Sequence, residues 1–181
     1  GLAILAPLVP GSARVISLGT ENIQGPFKAD VEVQDFAGSR ESARWIGENT
    51  PEQSVFLTIG PSVGNIISFY GHRDWYALSV SPDPQKRNPA YRPIPNPDLA
   101  IRRFHIHYAV WDFYSADRSV FYSSRLMKYV RKYGGRPVYS VWVDKGRVRS
   151  GRVAPEGVDK RIVVYDLVGG NPFPVPPGGT S

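Results

Sequence analysis

The chain has 181 residues, which suits one domain with a real core, and its apolar content of 41% excludes disorder over the whole length. It contains no cysteine, which excludes disulfides, thiolate metal sites and a cysteine nucleophile. The net charge of +6 is uneven, because residues 125–161 hold 11 Lys and Arg against 3 Asp and Glu, a local balance of +8. This basic third predicts a phosphate, a nucleic acid or an anionic membrane surface as partner, unless it is only a solvated face.

Residues 1–38 are interpreted as an N-terminal segment ahead of the main domain. The opening GLAILAPLVPG is apolar but interrupted by prolines, and no run in the chain reaches the roughly 18 apolar residues of a membrane span. The opening is either the remnant of a membrane-span exit or an ordinary buried segment. Alternating residues at 13–18 and 28–36 predict two short strands after it.

Residues 39–168 form the predicted domain, in which helices alternate with strands. A first helix begins at Ser39, a good N-cap, and ends at Thr50, which the following proline biases out of the helical region. Further helices are predicted from Gly60 to about Tyr70, from Asn96, and after Asp117. Strands are predicted near 54–59, 75–80, 105–112, 136–143 and 161–168.

The helix after Asp117 has the clearest pattern. One face of a 3.6-residue helix carries its apolar and aromatic residues, which are Tyr122, Leu126, Tyr129, Val130 and Tyr133. Lys128 and Lys132 fall on the other face, and Gly134 and Gly135 end the helix. We therefore expect Leu126 and Val130 to be buried and the two lysines to be exposed.

Three segments are predicted to be irregular. Six prolines within residues 82–97 exclude a regular element and predict a long surface excursion, a kind of loop that is usually functional or mobile. The basic, glycine-containing stretch between the last two strands is predicted to be a loop. Residues 169–181 are a Pro/Gly-rich tail.

This order of elements predicts an α/β fold. We expect a layered, Rossmann-like, mostly parallel sheet flanked by helices, with an antiparallel edge strand. Strands 54–59 and 105–112 should be parallel members of that sheet, because helices connect the elements between them. The last two strands should pair antiparallel at an edge.

Candidate ligand-binding residues follow two of these strands, since ligands of an open α/β sheet bind beyond the carboxyl ends of its strands. Gly60 and Ser62 begin a helix whose free N–H groups suit an anion. The second group suits a sugar or a phosphate and consists of Asp112, Tyr114, Ser115, Asp117 and Arg118. Each group also has a purely structural interpretation. Gly60 and Ser62 would form a plain strand-to-helix turn. In the second group, Ser115 or Asp117 would cap a helix and Arg118 would form an ion pair with a carboxylate.

Other chemistry has less support in the sequence. His105 and His107 share a strand face, but a metal needs a third ligand, so we predict neither a metal nor a cofactor. The GxSxG, Walker and dinucleotide-binding glycine patterns are absent. Aromatic residues mixed with basic ones in the C-terminal third keep nucleic-acid binding open, although they fit a core face better and no RRM or KH signature is present.

Three stretches together resemble a known family: ESARWIGENTPEQSVFLTIGPSVGNIISFYGHR, NPDLAIRRFHIHYAVWDFYSADRSVFYSSRLMKYVRKYGGRPVYSV and RIVVYDL. They resemble the soluble C-terminal region of multi-spanning, lipid-phosphate-dependent glycosyltransferases of the GT-C class. These enzymes are related to dolichyl-phosphate-mannose protein mannosyltransferases. The resemblance covers roughly residues 39–168.

The resemblance implies a non-catalytic domain on the extracytoplasmic side of a membrane glycosyltransferase that uses a lipid-phosphate sugar donor. Its partners would be the membrane portion of the same polypeptide, a lipid-linked sugar or glycan acceptor, and an anionic membrane surface. The catalytic acidic residues of the family lie between membrane helices, so none is carried over to this chain. Two other functions stay open: a free-standing basic module for nucleic acid or another polyanion, and a soluble enzyme that uses a nucleotide sugar.

Overall fold

The computed structural model of the protein describes residues 37–167. The apolar opening, the strands predicted at 13–18 and 28–36, and the tail at 169–181 lie outside the described residues. The helices are α1 (Ser39–Asn49), α2 (Pro61–Ile66, continued by a wider turn over Ile67–Gly71), α3 (Pro97–Arg102), α4 (Phe113–Arg118) and α5 (Val120–Lys132). The strands are β1 (Val55–Thr58), β2 (Asp74–Ala77), β3 (Tyr108–Asp112), β4 (Arg136–Asp144), β5 (Arg147–Gly151) and β6 (Asp159–Asp166).

The described strands form one six-stranded sheet in the order β2-β1-β3-β6-β4-β5. Strand β1 is parallel to both β2 and β3, which confirms the predicted pairing of the first and third strands. Strand β6 is antiparallel to both of its neighbours, so β4 runs in the same direction as β1, β2 and β3. The fold is therefore α/β with an open mixed sheet. We call the side of the sheet at which strands β1 to β4 end the carboxyl edge, and the side at which they begin the amino edge. Both terms refer to the ends of the strands and not to the outermost strands.

The antiparallel part of the sheet differs from the prediction in two ways. Strands β4 and β6 do pair antiparallel, but β6 lies in the interior of the sheet. The physical reason is that Ile162, Val163 and Val164 are all buried, so this strand needs neighbours and cover that an edge cannot give. The edge strand is β5, which lies in the stretch predicted to be a loop and forms a hairpin with β4. Lys145 and Gly146 both have positive φ, as a tight hairpin turn requires.

Helix α1 begins at Ser39 as predicted, but its N-cap residue differs from the prediction. Gly38, not Ser39, occupies the N-cap position, with a φ of 80°. A Cβ at Gly38 would lie 2.3 Å from a methyl carbon of Val141, so close packing against β4 requires glycine there. Ser39 is the first helical residue and is buried. The end of the helix is as predicted, because the Thr50 hydroxyl donates to the Ile46 carbonyl at 2.6 Å.

Helices cover both faces of the sheet, because successive strand residues point to opposite sides. Phe56 belongs to a cluster with Ile46 of α1 and Val63 of α2. Leu57, the next residue, belongs to a second cluster, which also contains Ile101 of α3 and several residues of α5. The predicted apolar face of α5 is confirmed, since the second cluster contains Tyr122, Leu126, Tyr129, Val130 and Tyr133.

The connections between the strands place the long proline-rich stretch beside β2. A single short helical turn, Pro84–Lys86, is the regular structure that the described chain forms between β2 and α3. The predicted N-cap of α3 is confirmed, because the Asn96 side chain accepts a hydrogen bond from the Leu99 N–H at 2.9 Å. Within residues 37–167, no helix has both the length and the apolar character that a membrane crossing needs.

Candidate functional site

The carboxyl ends of three strands meet around Gly60. The N–H groups of Leu78 and Ser79 donate to the carbonyls of Thr58 and Ile59 at 3.0 and 3.1 Å, which holds the end of β2 against the end of β1. A Cβ at Gly60 would lie 3.2 Å from the Ser115 hydroxyl. The two groups of candidate residues predicted from the sequence therefore lie side by side.

We call these candidate residues the cradle: Gly60, Ser62, Asp112, Tyr114, Ser115, Asp117 and Arg118. Gly60, Asp112 and Ser115 form its buried floor. Ser62 lies half-buried on the first turn of α2, and Asp117 is exposed on α4, so these two flank the floor.

The topology of the sheet gives the cradle its position. From its carboxyl end, β1 leads through α2 to β2 on one side, whereas β3 leads through α4 and α5 to β4 on the other side. Connections therefore diverge between β1 and β3, and their carboxyl ends border the point of divergence. Ligands of open α/β sheets bind in the crevice at such a point.

Asp112 is the chemically distinctive group of the cradle. Its side chain is buried, with the residue only 2% exposed. One carboxylate oxygen accepts a hydrogen bond from the Ser115 N–H at 2.7 Å, so Asp112 caps α4, in place of the predicted Ser115 or Asp117. The other oxygen is buried without a hydrogen-bond partner among the described residues. Burial raises the pKa of Asp112, against the lowering effect of the bonds to Ser115.

The raised pKa of Asp112 leads to a prediction for stability. The folded state holds this proton more tightly than the unfolded chain, whose carboxyl has the ordinary pKa of 3.8. The contribution of Asp112 to stability is therefore complete below that pH and is lost as the pH rises through the raised pKa. Asp112→Asn keeps the cap and removes the ionisation. We expect this variant to gain stability relative to the wild type between acid and neutral pH in urea denaturation.

The exposed Asp117→Asn variant is the control for that measurement, because it removes a carboxylate from the same helix without a burial effect. It should not reproduce the gain in stability that is expected for Asp112→Asn. Identical pH profiles for Asp112→Asn and the wild type would contradict a raised pKa at Asp112.

Tyr114 and Arg118 form one unit on the rim of the cradle. The Arg118 guanidinium lies 3.6 Å above the centre of the Tyr114 ring and donates to the Tyr114 carbonyl at 3.3 Å. The guanidinium therefore covers one face of the ring. This cation–π contact occupies that face, so a ligand at the cradle would have to use the other face of the ring.

Cationic residues of the β4–β5 turn lie at the same edge of the sheet as the cradle. Asp112 at the end of β3 pairs with Ile162 of β6. Asp159, three residues earlier in β6, pairs with Val143 near the end of β4. The β4–β5 turn with exposed Lys145 therefore lies at the carboxyl edge. Strands β3 and β4 are two positions apart, which corresponds to about 10 Å.

His105 and His107, which the sequence places on one strand face, have different environments in the structure. His107 is buried, and its Nδ1 accepts a hydrogen bond from the Val55 N–H at 2.9 Å, which ties β3 to β1. Burial lowers the pKa of His107 and favours the neutral ring that this bond requires. His105 is exposed. In the part of the chain that the structure describes, no group of three or more potential ligands is arranged to hold a metal ion.

The cavities at the amino edge were missed by the sequence analysis. They adjoin β2 and are lined by Trp75, Tyr76, Tyr91, Arg92 and His105 among others. The available signal was the proline-rich stretch at 82–97, because long loops of this kind are often functional. Strand β2 forms the other side of these cavities. That role follows from its position as an edge strand, which the order of strands in the sheet reveals and the sequence does not.

Relationships to other proteins add no constraint on these sites. Comparisons with protein-family models, with curated proteins and with solved structures find no match to this chain. The resemblance to a glycosyltransferase domain therefore stays an expectation from the sequence, and the function has to be inferred from the geometry of the sites.

Proposed function

We propose that this protein includes an accessory, non-catalytic domain of a membrane glycosyltransferase, which holds the sugar-phosphate headgroup of a lipid-linked donor at the cradle. One observation carries the proposal: the cradle and the cationic β4–β5 turn end at the same edge of the sheet. This edge would face the extracytoplasmic surface of the membrane, where the donor headgroup lies.

Each part of the cradle has a role in this proposal. The Ser62 hydroxyl donates to a phosphate oxygen, and Arg118 supplies positive charge beside it. Asp112 contributes by capping α4 and so fixing the position of the helix that carries Arg118, because its second oxygen is fully buried and out of reach of a ligand. The helices on both faces and the divergence at β1 and β3 make this part of the domain Rossmann-like in the proposal.

The alternative is a basic module that binds nucleic acid or another polyanion. The observation that favours it is the run of exposed cations on β5 and its flanks, which includes Lys145, Arg147, Arg149 and Arg152. Such a module would bind polyanions through these residues alone and would not need Asp112 or Arg118. The two functions therefore differ in which variants lose binding.

Binding to vesicles tests the proposal. The 181-residue chain should bind phosphatidylcholine vesicles that contain farnesyl phosphomannose more strongly than plain phosphatidylcholine vesicles. Arg118→Ala should weaken this binding about tenfold, because a charge-assisted hydrogen bond contributes about 1.5–3 kcal/mol. Arg131→Ala is the matched control, since Arg131 is exposed in the last turn of α5, at the amino edge.

Three results would contradict the proposal. The first is equal binding to both kinds of vesicle, and the second is equal weakening by Arg118→Ala and Arg131→Ala. The third is binding to heparin that is stronger than binding to the farnesyl phosphomannose vesicles and insensitive to Arg118→Ala, which would favour the polyanion module.

A further inference from the structure

Cavities that share lining residues lie beside β2 at the amino edge, opposite the cradle. Three adjoining cavities have volumes of about 220, 300 and 750 Å³. The cavity of 220 Å³ shares Trp75 and Tyr91 with the cavity of 750 Å³, and it shares Tyr76 and His105 with the cavity of 300 Å³. We call these three cavities together the β2 cleft. Because neighbouring cavities share side chains, a ligand of several linked units can contact more than one of them.

The aromatic wall of the β2 cleft is held in place before any ligand arrives. A Cβ at Gly64 would lie 2.3 Å from the Trp75 ring, so α2 packs directly against the indole. The Tyr91 ring lies edge-on to Trp75, with 5.6 Å between the ring centres. The Tyr91 hydroxyl accepts a hydrogen bond from the Asn65 side chain at 3.0 Å. A wall fixed in this way binds without a large cost for ordering its side chains.

Polar side chains from both walls border the aromatic ones. Asp74 begins β2 and Arg92 belongs to the proline-rich stretch, and both are exposed. Asp74 accepts hydrogen bonds and Arg92 donates them, so the cleft offers both kinds of partner. Arg103 also lines the cleft and is exposed, so cations outnumber the single carboxylate among these charged lining residues.

We infer that the β2 cleft binds an oligosaccharide. A sugar ring has an apolar C–H face that packs on an aromatic side chain, and it has hydroxyl groups that both donate and accept hydrogen bonds. Trp75 and Tyr91 match the first property, and Asp74 and Arg92 match the second. The inference goes beyond the proposed function, because the cleft lies at the opposite edge from the cradle and does not depend on it.

A proline-rich peptide is the other ligand that aromatic grooves commonly take. Proline lacks the backbone N–H, so such a peptide presents few donors to Asp74. A saccharide hydroxyl can donate to Asp74 and accept from Arg92 at the same time. The chemistry of the rim therefore favours the saccharide.

The test is a titration of the 181-residue chain with mannohexaose, maltohexaose and cellohexaose, followed by amide and indole NMR. We expect at least one of them to cause a saturable shift of the Trp75 indole signal. Tyr91→Ala should weaken that binding by about tenfold or more, since it removes an aromatic contact at the centre of the cleft. Phe121→Ala is the matched control, because Phe121 is an aromatic residue that is 68% exposed at the start of α5, at the carboxyl edge.

A second variant controls for the possibility that Tyr91→Ala weakens binding by changing the structure of the cleft. Asp74→Asn changes only an exposed side chain of the rim and should also weaken saccharide binding. The inference is overturned if no saccharide shifts the Trp75 signal, or if binding survives both variants. It is also overturned if decaproline binds the cleft in place of the saccharides. Loss of saccharide binding in Arg118→Ala but not in Tyr91→Ala would assign the sugar to the cradle instead.

Discussion

Replacement of Leu126 by alanine is expected to lower the free energy of unfolding by about 2–5 kcal/mol. Leu126 is fully buried in the cluster between α5 and the sheet. With α4, helix α5 connects β3 to β4, which lie on either side of β6 in the sheet. Truncation removes apolar contacts and leaves a cavity that the surrounding strands can fill only in part. Urea denaturation followed by circular dichroism measures the loss.

Two lysines on the same helix serve as controls. Lys128 is exposed, and Lys128→Ala should change stability by less than about 0.5 kcal/mol. The sequence predicts the same for Lys132, but its ammonium lies 2.6 Å from an Asp98 carboxylate oxygen. An exposed ion pair of this kind contributes about 0–1 kcal/mol, so Lys132→Ala should cost slightly more than Lys128→Ala. Equal losses for Leu126→Ala and Lys128→Ala would contradict the assigned helix face.

Reversal of three charges on the β4–β5 hairpin is expected to weaken binding to anionic vesicles about 100-fold. The variant is Lys145→Glu, Arg147→Glu and Arg149→Glu, and all three side chains are exposed. Each cation close to an anionic surface contributes about 1 kcal/mol, so removing three costs about 3 kcal/mol, and every 1.4 kcal/mol is about tenfold. Sedimentation with vesicles that contain phosphatidylserine measures the change, which should shrink as salt is added.

A matched variant at the amino edge separates a specific face from general charge attraction. Arg102, Arg103 and Arg131 are exposed where α3 and α5 end, and their replacement by glutamate changes the net charge by the same amount. This variant should retain most of the binding to anionic vesicles. Equal losses in the two triple variants would show that net charge, and not the carboxyl edge, determines membrane binding.

The sequence predicted those parts of the fold that depend on local periodicity and on helix-ending residues. The buried face of α5 followed from its 3.6-residue spacing, and the parallel pairing of β1 and β3 followed from the helices between them. Strand β5 was missed because Val148 is the one large apolar residue of its sequence RVRSG, so the segment has no apolar face. Charged residues are common on edge strands, where they oppose pairing with another chain, so the feature that hid β5 suits its position. The insertion of β6 between β3 and β4 depends on long-range pairing, which local patterns do not contain.

The candidate sites show the same division. The proximity of Gly60 to Ser115 followed from a rule about strand ends. The free oxygen of Asp112 and the contact of Arg118 with Tyr114 depend on side-chain positions that spacing alone does not specify. The β2 cleft was missed because Trp75 and Tyr91 are separated by a proline-rich stretch without periodicity.

The most direct test of the central claim is an amide NMR titration of the isotope-labelled 181-residue chain with a water-soluble short-chain polyprenyl phosphomannose. The proposed cradle predicts saturable shifts at Gly60, Ser62 and Ser115, and Arg118→Ala should reduce them. Shifts confined to the basic residues of the β4–β5 hairpin, or no shifts at all, would contradict the claim that the cradle holds the sugar-phosphate headgroup.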